Sequence, residues 1–154
     1  NGFQEEVNKV WDEVMKVLNK ELKDRRLYIC GHSLGGAMAT IATSRLTGKV
    51  TCLYTYGSPR AGTKSFVKSF NTPHYRHVNN NDIVPKVPFA FLGYRHHGTL
   101  RYINFYGNIR KMSYWQRVKD GWRGRLAAFK KRVPFDGAYD HGMNYYVEYT
   151  RKNQ

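Results

Sequence analysis

The chain has 154 residues, 41% of them apolar and 15% aromatic, and carries 26 Lys and Arg against 11 Asp and Glu for a net charge of +15. That length fits one domain with a buried core, and no apolar run is long enough to span a bilayer. The composition is that of a globular protein. The charge predicts attraction to polyanions (nucleic acid, anionic lipid surfaces or acidic partners), although solubility alone accounts for it as well.

The N-terminus, Asn1 to Glu6, has neither the basic start nor the apolar stretch of a signal peptide. It also lacks an initiator Met and is expected to be the start of a trimmed or processed piece. From Phe3 to Lys23, apolar residues at Phe3, Val7, Val10, Trp11, Val14, Leu18 and Leu22 fall at helical spacing, with Glu and Lys on the other face. Leu27 to Cys30 then reads as a short buried strand. It stops at Gly31-His32-Ser33-Leu34-Gly35, and small residues lead into a helix through Ala37 to Thr43, with Gly48 a stop signal just after it. Val50 to Tyr56 is β-branched and aromatic, a second buried strand that breaks at Gly57-Ser58-Pro59. A short helix over Ser65 to Phe70, a third strand over Tyr75 to Asn79 and a fourth over Leu100 to Phe105 follow. Strands separated by helices predict an α/β fold with a mostly parallel central sheet flanked by helices. The first strand is apolar on both faces and therefore calls for neighbours on each side, yet the other strands all come after it. Strands from a missing N-terminal segment, or from a second chain, are expected to complete the sheet. Cys30 and Cys52 lie in these strands and read as free, buried thiols without metal-ligand spacing.

Strand, tight turn and helix around G-x-S-x-G are the context of a nucleophile elbow. Its serine sits on a strained turn, so side chains at Gly31 or Gly35 would strike neighbouring backbone. A serine hydroxyl needs a base to take its proton, and the base needs an acid to hold it. After Ser33 the acids are Asp82, Asp120, Asp136, Asp140 and Glu148. Asp82 directly follows a predicted strand, where catalytic groups of open α/β sheets collect; an Asx turn before Pro85 explains it equally well. Of the histidines, His32 lies inside the elbow, and His74 and His77 lie before and within a strand. His96 and His97 fall between Asp82 and the fourth strand. His141 comes after every predicted strand, where a triad base belongs, with His96 next in order; Asp140-His141 also reads as a plain helix cap.

Gly31-His32-Ser33-Leu34-Gly35-Gly36-Ala37 resembles the elbow of the class 3 lipases, the α/β-hydrolase family that includes the fungal triacylglycerol lipases. Tyr54 to Gly62 is similar to the family's second strand and Gly-Ser-Pro-Arg turn. Asn81-Asp82-Ile83-Val84-Pro85 matches its Asn-Asp-Ile-Val-Pro, Gly93-Tyr94-Arg95-His96 its Gly-Tyr-x-His, and Asp140-His141-Gly142-Met143 the Asp-His-Ser-Met form of bacterial-type members, with Gly142 in place of Ser. The resemblance implies Ser33 as nucleophile, Asp82 as acid, His141 as base and His96 as a supporting residue. It implies the backbone N–H of Leu34 as first oxyanion donor. Family members carry more chain before Gly2-Phe3, including a loop with a second donor; a missing donor typically costs ~10²–10³ in rate. The whole of 1–154 is expected to be a single α/β-hydrolase domain, the C-terminal part of a longer one, that needs no metal or organic cofactor.

Between the fourth strand and His141, the segment from Arg110 to Arg132 holds nine basic residues and one acid, Asp120. Trp115, Val118, Trp122, Leu126 and Phe129 recur at steps of three and four. This is an amphipathic basic helix suited to an anionic membrane surface. A helix that packs its apolar face on the core fits the same pattern. Gly121 and Gly124, at ~1 kcal/mol each relative to Ala, predict a bend or break. No recognition motif accompanies the charge, so specific nucleic-acid binding is not expected. The expected function is hydrolysis of carboxylic esters in acyl lipids, of triacylglycerol lipase or phospholipase type. An acyltransferase would use the same triad. The alternative is a catalytically inactive fragment that binds membranes or polyanions through helix 110–132.

Overall fold

The computed structural model describes residues 2–132 and 136–154. In chain order the elements are α1 (Gly2–Glu21), β1 (Leu27–His32), α2 (Leu34–Arg45), β2 (Val50–Tyr56), β3 (Gly62–Thr63), α3 (Lys64–Lys68), β4 (His74–Asn79), β5 (Tyr94–Arg95), β6 (Thr99–Ile103), β7 (Ile109–Arg110), α4 (Tyr114–Lys130), α5 (Asp136–Tyr139) and α6 (Met143–Lys152). A five-stranded sheet runs β1-β2-β4-β6-β7, and β3 and β5 form a separate two-stranded ribbon. β1, β2, β4 and β6 are parallel, and β7 turns back antiparallel on β6. The predicted strands are all present. β3, β5 and β7 have only two residues each, too short for any periodicity to register.

Side chains alternate across the sheet, and the two faces differ. On one face Leu53 of β2 is fully buried with Ala39 of α2 and Phe70, and Ile29 and Phe66 pack on them. Truncating a leucine so enclosed typically costs about 2–5 kcal/mol. Further along this face, Arg76 and Val78 of β4 and Leu100 and Tyr102 of β6 lie beneath α4, with a cavity between. The opposite face carries Tyr28 and Cys30 of β1, Tyr54 and Tyr56 of β2, and Tyr75 and His77 of β4. Tyr56 stacks on His77 at 4.7 Å, and Arg101 lies over Tyr75 at 5.0 Å. This face is bare at its β1 side. Tyr28 is 52% exposed, and Cys30 is exposed where the sequence reading has it buried. β1 pairs only with β2 among the described residues, which leaves open the outer edge where the sequence reading expects strands from a missing segment or a second chain. Cys52 is buried as expected.

α4 corrects one expectation for the basic segment, the bend, and decides between the two packings left open for its apolar stripe. It is one unbroken helix, opened by a capping box between Ser113 and Gln116. Its buried residues are Asp120, Gly121 and Gly124, whereas Trp115, Trp122, Leu126 and Phe129 are all more than half exposed. Close approach explains the glycines. A Cβ on Gly121 would lie 2.7 Å from Asn81 Oδ1, and one on Gly124 would lie 2.7 Å from Asn80 Nδ2. Asn81 Nδ2 donates to the Gly121 carbonyl at 2.8 Å. The Asp120 carboxylate accepts from Tyr102 Oη and Phe105 N–H, fastening the helix to the end of β6. The helix therefore packs through its small and acidic residues and turns its aromatic stripe outward.

Candidate active site

Ser33 sits between β1 and α2 with φ 55° and ψ −129°, a backbone conformation that typically costs ~1–3 kcal/mol in a residue with a side chain. The turn is pinned by Ser33 N–H donating to the Tyr56 carbonyl at 3.0 Å. Gly31 is required as expected, since a Cβ there would lie 2.3 Å from the Gly35 carbonyl oxygen. Gly35 is not: a Cβ on it meets nothing within 4 Å, and the crowded neighbour is Gly36, against Ser58 Cβ at 2.6 Å. Leu34 opens α2, so its N–H has no partner within the helix and joins the positive end of the helix dipole beside the serine.

The sequence places three candidate residues far apart, and the fold brings them together. Ser33 Oγ–H donates to His141 Nε2 at 2.8 Å, and His141 Nδ1–H faces both oxygens of Asp82 at 3.0 Å. Asp82 is fully buried at the turn after β4, and one of its oxygens also accepts from Val84 N–H at 2.9 Å. Gly57, at φ +56°, leaves room for this contact: a Cβ there would lie 2.7 Å from Asp82 Oδ2 and 2.9 Å from His141 Nδ1.

Sequence reasoning missed several supports. Tyr146 of α6 is completely buried; its hydroxyl donates to Asp82 Oδ2 at 2.5 Å and accepts from Asn79 N–H at 3.0 Å. Burial and the Asp82 charge hold the Tyr146 hydroxyl far above its usual pKa, so it stays a donor. Its sequence signal is its place five residues after His141, which puts it one turn into α6. His32 stacks on His141 at 4.7 Å and donates from Nε2 to the His141 carbonyl at 2.9 Å. Asp140 does not cap a helix. Its carboxylate accepts from Asn81 N–H at 2.9 Å, and its carbonyl accepts from Asn79 Nδ2 at 3.0 Å, tying the histidine loop to the turn that carries Asp82. His96 stands apart from the three. It donates from Nε2 to the Pro85 carbonyl at 2.7 Å and so holds the segment after Asp82. Burial, and then the Arg76 charge, push its pKa down to about 3, which keeps the ring neutral.

The surroundings are apolar and open. Ile83, Val87, Phe89, Phe91 and Leu92, on the segment that follows Asp82, are exposed, Phe91 to 82%. Beside the half-exposed Leu34, a hollow is lined by Phe3 and Tyr94, with Glu6 as its one charged wall. Among the described residues no group of His, Cys, Asp or Glu is placed to hold a metal ion, and no helix is long and apolar enough to cross a membrane.

A mostly parallel sheet, a serine on a strand-to-helix elbow and a histidine delivered after the last strand together define an α/β-hydrolase fold. The family described as Lipase (class 3) matches residues 1–92, and the chain belongs to that family. Toxin TseL of Vibrio cholerae is 44% identical over 87 residues, covering 51% of this chain and 14% of the toxin. The secreted mono- and diacylglycerol lipase A of Penicillium cyclopium is 36% identical over 103 residues, covering 62% of this chain and 34% of the lipase. Of solved structures, the lipase from Rhizopus microsporus var. chinensis superposes with a TM-score of 0.63 at 33% identity, over 67% of this chain and 40% of the lipase. The mono- and diacylglycerol lipase from Aspergillus oryzae gives 0.61 at 33% identity, over 66% of this chain and 40% of that one. The chain thus spans well under half the length of these relatives.

Proposed function

We propose that the chain carries the catalytic triad of a serine hydrolase that cleaves carboxylic ester bonds of acyl lipids, and that residues 1–154 act as one α/β-hydrolase unit. The observation that carries this reading is the hydrogen-bond chain from Ser33 through His141 to Asp82, built on a strained elbow. Ser33 Oγ attacks the ester carbonyl as its proton passes to His141 Nε2. Asp82 fixes the tautomer with the proton on Nδ1 and stabilises the imidazolium that forms. The Leu34 N–H donates to the developing oxyanion. His141 then gives its proton to the departing alcohol, and water, activated by the same imidazole, releases the fatty acid. General-base assistance of this kind typically contributes ~10²–10⁴-fold. Tyr146, His32 and Asp140 position the acid and the base.

The exposed apolar segment over 83–92 supports an acyl chain as ligand, and the mono- and diacylglycerol lipases among the relatives support an acyl ester. The outward aromatic stripe of α4, flanked by Arg and Lys, serves adsorption to an anionic bilayer, and among acyl lipids an anionic phospholipid suits that flank best. An inactive binding module gains less support, because it leaves the triad geometry without a purpose. The test is covalent labelling with a fluorophosphonate, read by peptide mapping. Ser33 should carry the phosphonyl group, and Ser33→Ala should neither label nor hydrolyse a short-chain ester. A parent protein modified at another residue, or a Ser33→Ala variant with full esterase activity, overturns the reading.

A further inference from the structure

On the face of the sheet that α4 covers, and separate from the serine, lies a cavity of about 530 Å³. Its walls include Arg60, Arg76, Lys86, Arg117 and Arg125, and no Asp or Glu among the described residues. Arg76 is the informative member. It rises from the middle of β4, between Thr55 of β2 and Leu100 of β6, so the sheet itself fixes its position. Its Nε is buried and has no hydrogen-bond partner. The charges that reach its guanidinium are those of Arg60 and Arg117, both repulsive, and with burial as the main cause they lower its pKa to about 10. It is still charged at neutral pH. Arg76 as a whole is only partly exposed, and a cation so sheltered is ordinarily paired, because an unpaired one is costly.

Arg60 shows the contrast. It donates from Nη1 to the carbonyls of Lys86 and Pro88, so its position over the cavity is built by backbone acceptors and not left to solvent. Beside the polar Asn80, Asn81, His96 and Tyr102, one part of the wall is of another kind. Val78 and Leu100 are apolar, and the half-exposed Trp122 stands at the rim with the Arg125 guanidinium 5.5 Å from its ring.

We propose that this cavity binds a phosphomonoester, with Arg76 and Arg117 holding the phosphate and the Val78, Leu100 and Trp122 side receiving the organic part. Guanidinium forks match the geometry of phosphate oxygens. A phosphomonoester carries close to two negative charges near neutral pH, which answers several cations where one carboxylate would not. The volume exceeds what a bare anion needs. Two sources share this chemistry, a lipid headgroup with a terminal phosphate and a soluble phosphate ester. The inference does not rest on the hydrolase reading, and its readouts are independent of Ser33.

The test is binding of inorganic phosphate and glycerol 3-phosphate, followed as the rise in melting temperature over chloride at equal ionic strength. Sedimentation with phosphatidylcholine vesicles containing either phosphatidic acid or phosphatidylglycerol runs alongside. The parent should be stabilised by the phosphates. Arg117→Gln should weaken the apparent affinity about tenfold or more, the loss of one charge-assisted contact. Lys130→Gln removes the same charge from an exposed position of the same helix outside the cavity and should leave affinity within about twofold. Arg76→Gln provides a second variant, checked for folding by its own melting curve. A preference for phosphatidic acid vesicles that Arg117→Gln abolishes assigns the site to a headgroup. Phosphate ester binding without that preference assigns it to a soluble ligand, and both uphold the site. No stabilisation by phosphate beyond chloride, or equal weakening by Lys130→Gln and Arg117→Gln, overturns it.

Discussion

Replacing Gly57 by Ala tests the triad reading through a residue that has no side chain. The new Cβ would lie 2.7 Å from Asp82 Oδ2, 2.9 Å from His141 Nδ1 and 3.0 Å from His141 Cε1. Ordinary contact begins at 3.4 Å, so the acid must withdraw by about 0.7 Å and the imidazole by about 0.5 Å. These are the groups joined by the 3.0 Å and 2.8 Å hydrogen bonds. Displacements approaching 1 Å at reacting groups cost about 10²-fold in rate. The positive φ adds about 1–2 kcal/mol of backbone strain, worth roughly 2–8 °C in melting temperature for a chain of this size. Gly48→Ala is the control, because Gly48 has φ +79° and open space around it; it carries the strain without the contact. The assay is the initial rate of short-chain p-nitrophenyl ester hydrolysis, with a melting curve for each variant. Gly57→Ala should lose about 10²-fold in kcat and Gly48→Ala should keep its rate. A Gly57→Ala enzyme within about threefold of the parent, or equal losses in both variants, would refute the argument that these contacts set the geometry.

Tyr146→Phe removes a donor to a buried carboxylate, worth about 1.5–3 kcal/mol; kcat should fall about tenfold with KM unchanged. Fluorophosphonate labelling of Ser33 should slow in step with kcat, and labelling at the parent's rate would count against this role for the Tyr146 hydroxyl. Burial holds His74 down to about 3 and His77 down to about 4, whereas the unfolded chain takes up these protons near pH 6.5. Stability should therefore be full above that pH and fall as the pH drops towards 4, by about 2 kcal/mol per histidine at about pH 5. His96, held at about 3, adds to the same loss; urea melts at both ends of that window measure it, and His77→Gln should remove about a third of what the three histidines contribute together, while an unchanged pH dependence in that variant counts against the assignment. Trp115 and Phe129 are 71% and 83% exposed, so truncating both to Ala should lower adsorption to phosphatidylserine vesicles by at least about tenfold. Equal adsorption by the truncated and parent proteins would remove α4 from the membrane contact.

Much of the site was legible because its demands are local. A strand, a G-x-S-x-G turn and a helix state the elbow within a dozen residues, and the motifs around Asp82 and His141 each sit where one strand or loop ends. What could not be read depends on which surfaces meet. The stripe of Trp115, Trp122, Leu126 and Phe129 has the spacing of a core-facing helix, yet Gly121 and Gly124 win the inward position because the Asn80-Asn81 turn comes too close for a side chain. The apolarity of Leu27 to Cys30 states what the strand prefers. The exposure of Tyr28 and Cys30 shows what covers it among the described residues. Tyr146 gives no chemical signal of its own, because tyrosines at helical spacing are ordinary, and only the fold brings its hydroxyl to Asp82.

The way α6 is attached sets an order of events on heating. Ser33 and Asp82 are anchored at the ends of sheet strands, but His141 arrives from 108 residues away in sequence, and Tyr146 is the only residue of α6 that is buried. Apart from the Tyr149 ring lying against Gly107, the rest of its attachment is polar: Asp140 to Asn81, Lys152 to the Tyr106 carbonyl, and Asn153 to Gly107 and Ile109. Segments with so little buried apolar surface open at lower free energy than the body of a domain. When this one lifts, the base, its stacking contact with His32 and the hydroxyl donor to the acid all leave together. On the proposed triad, ester hydrolysis would then depend on a docked helix and not on the sheet alone, and it should melt away while the strands are still paired.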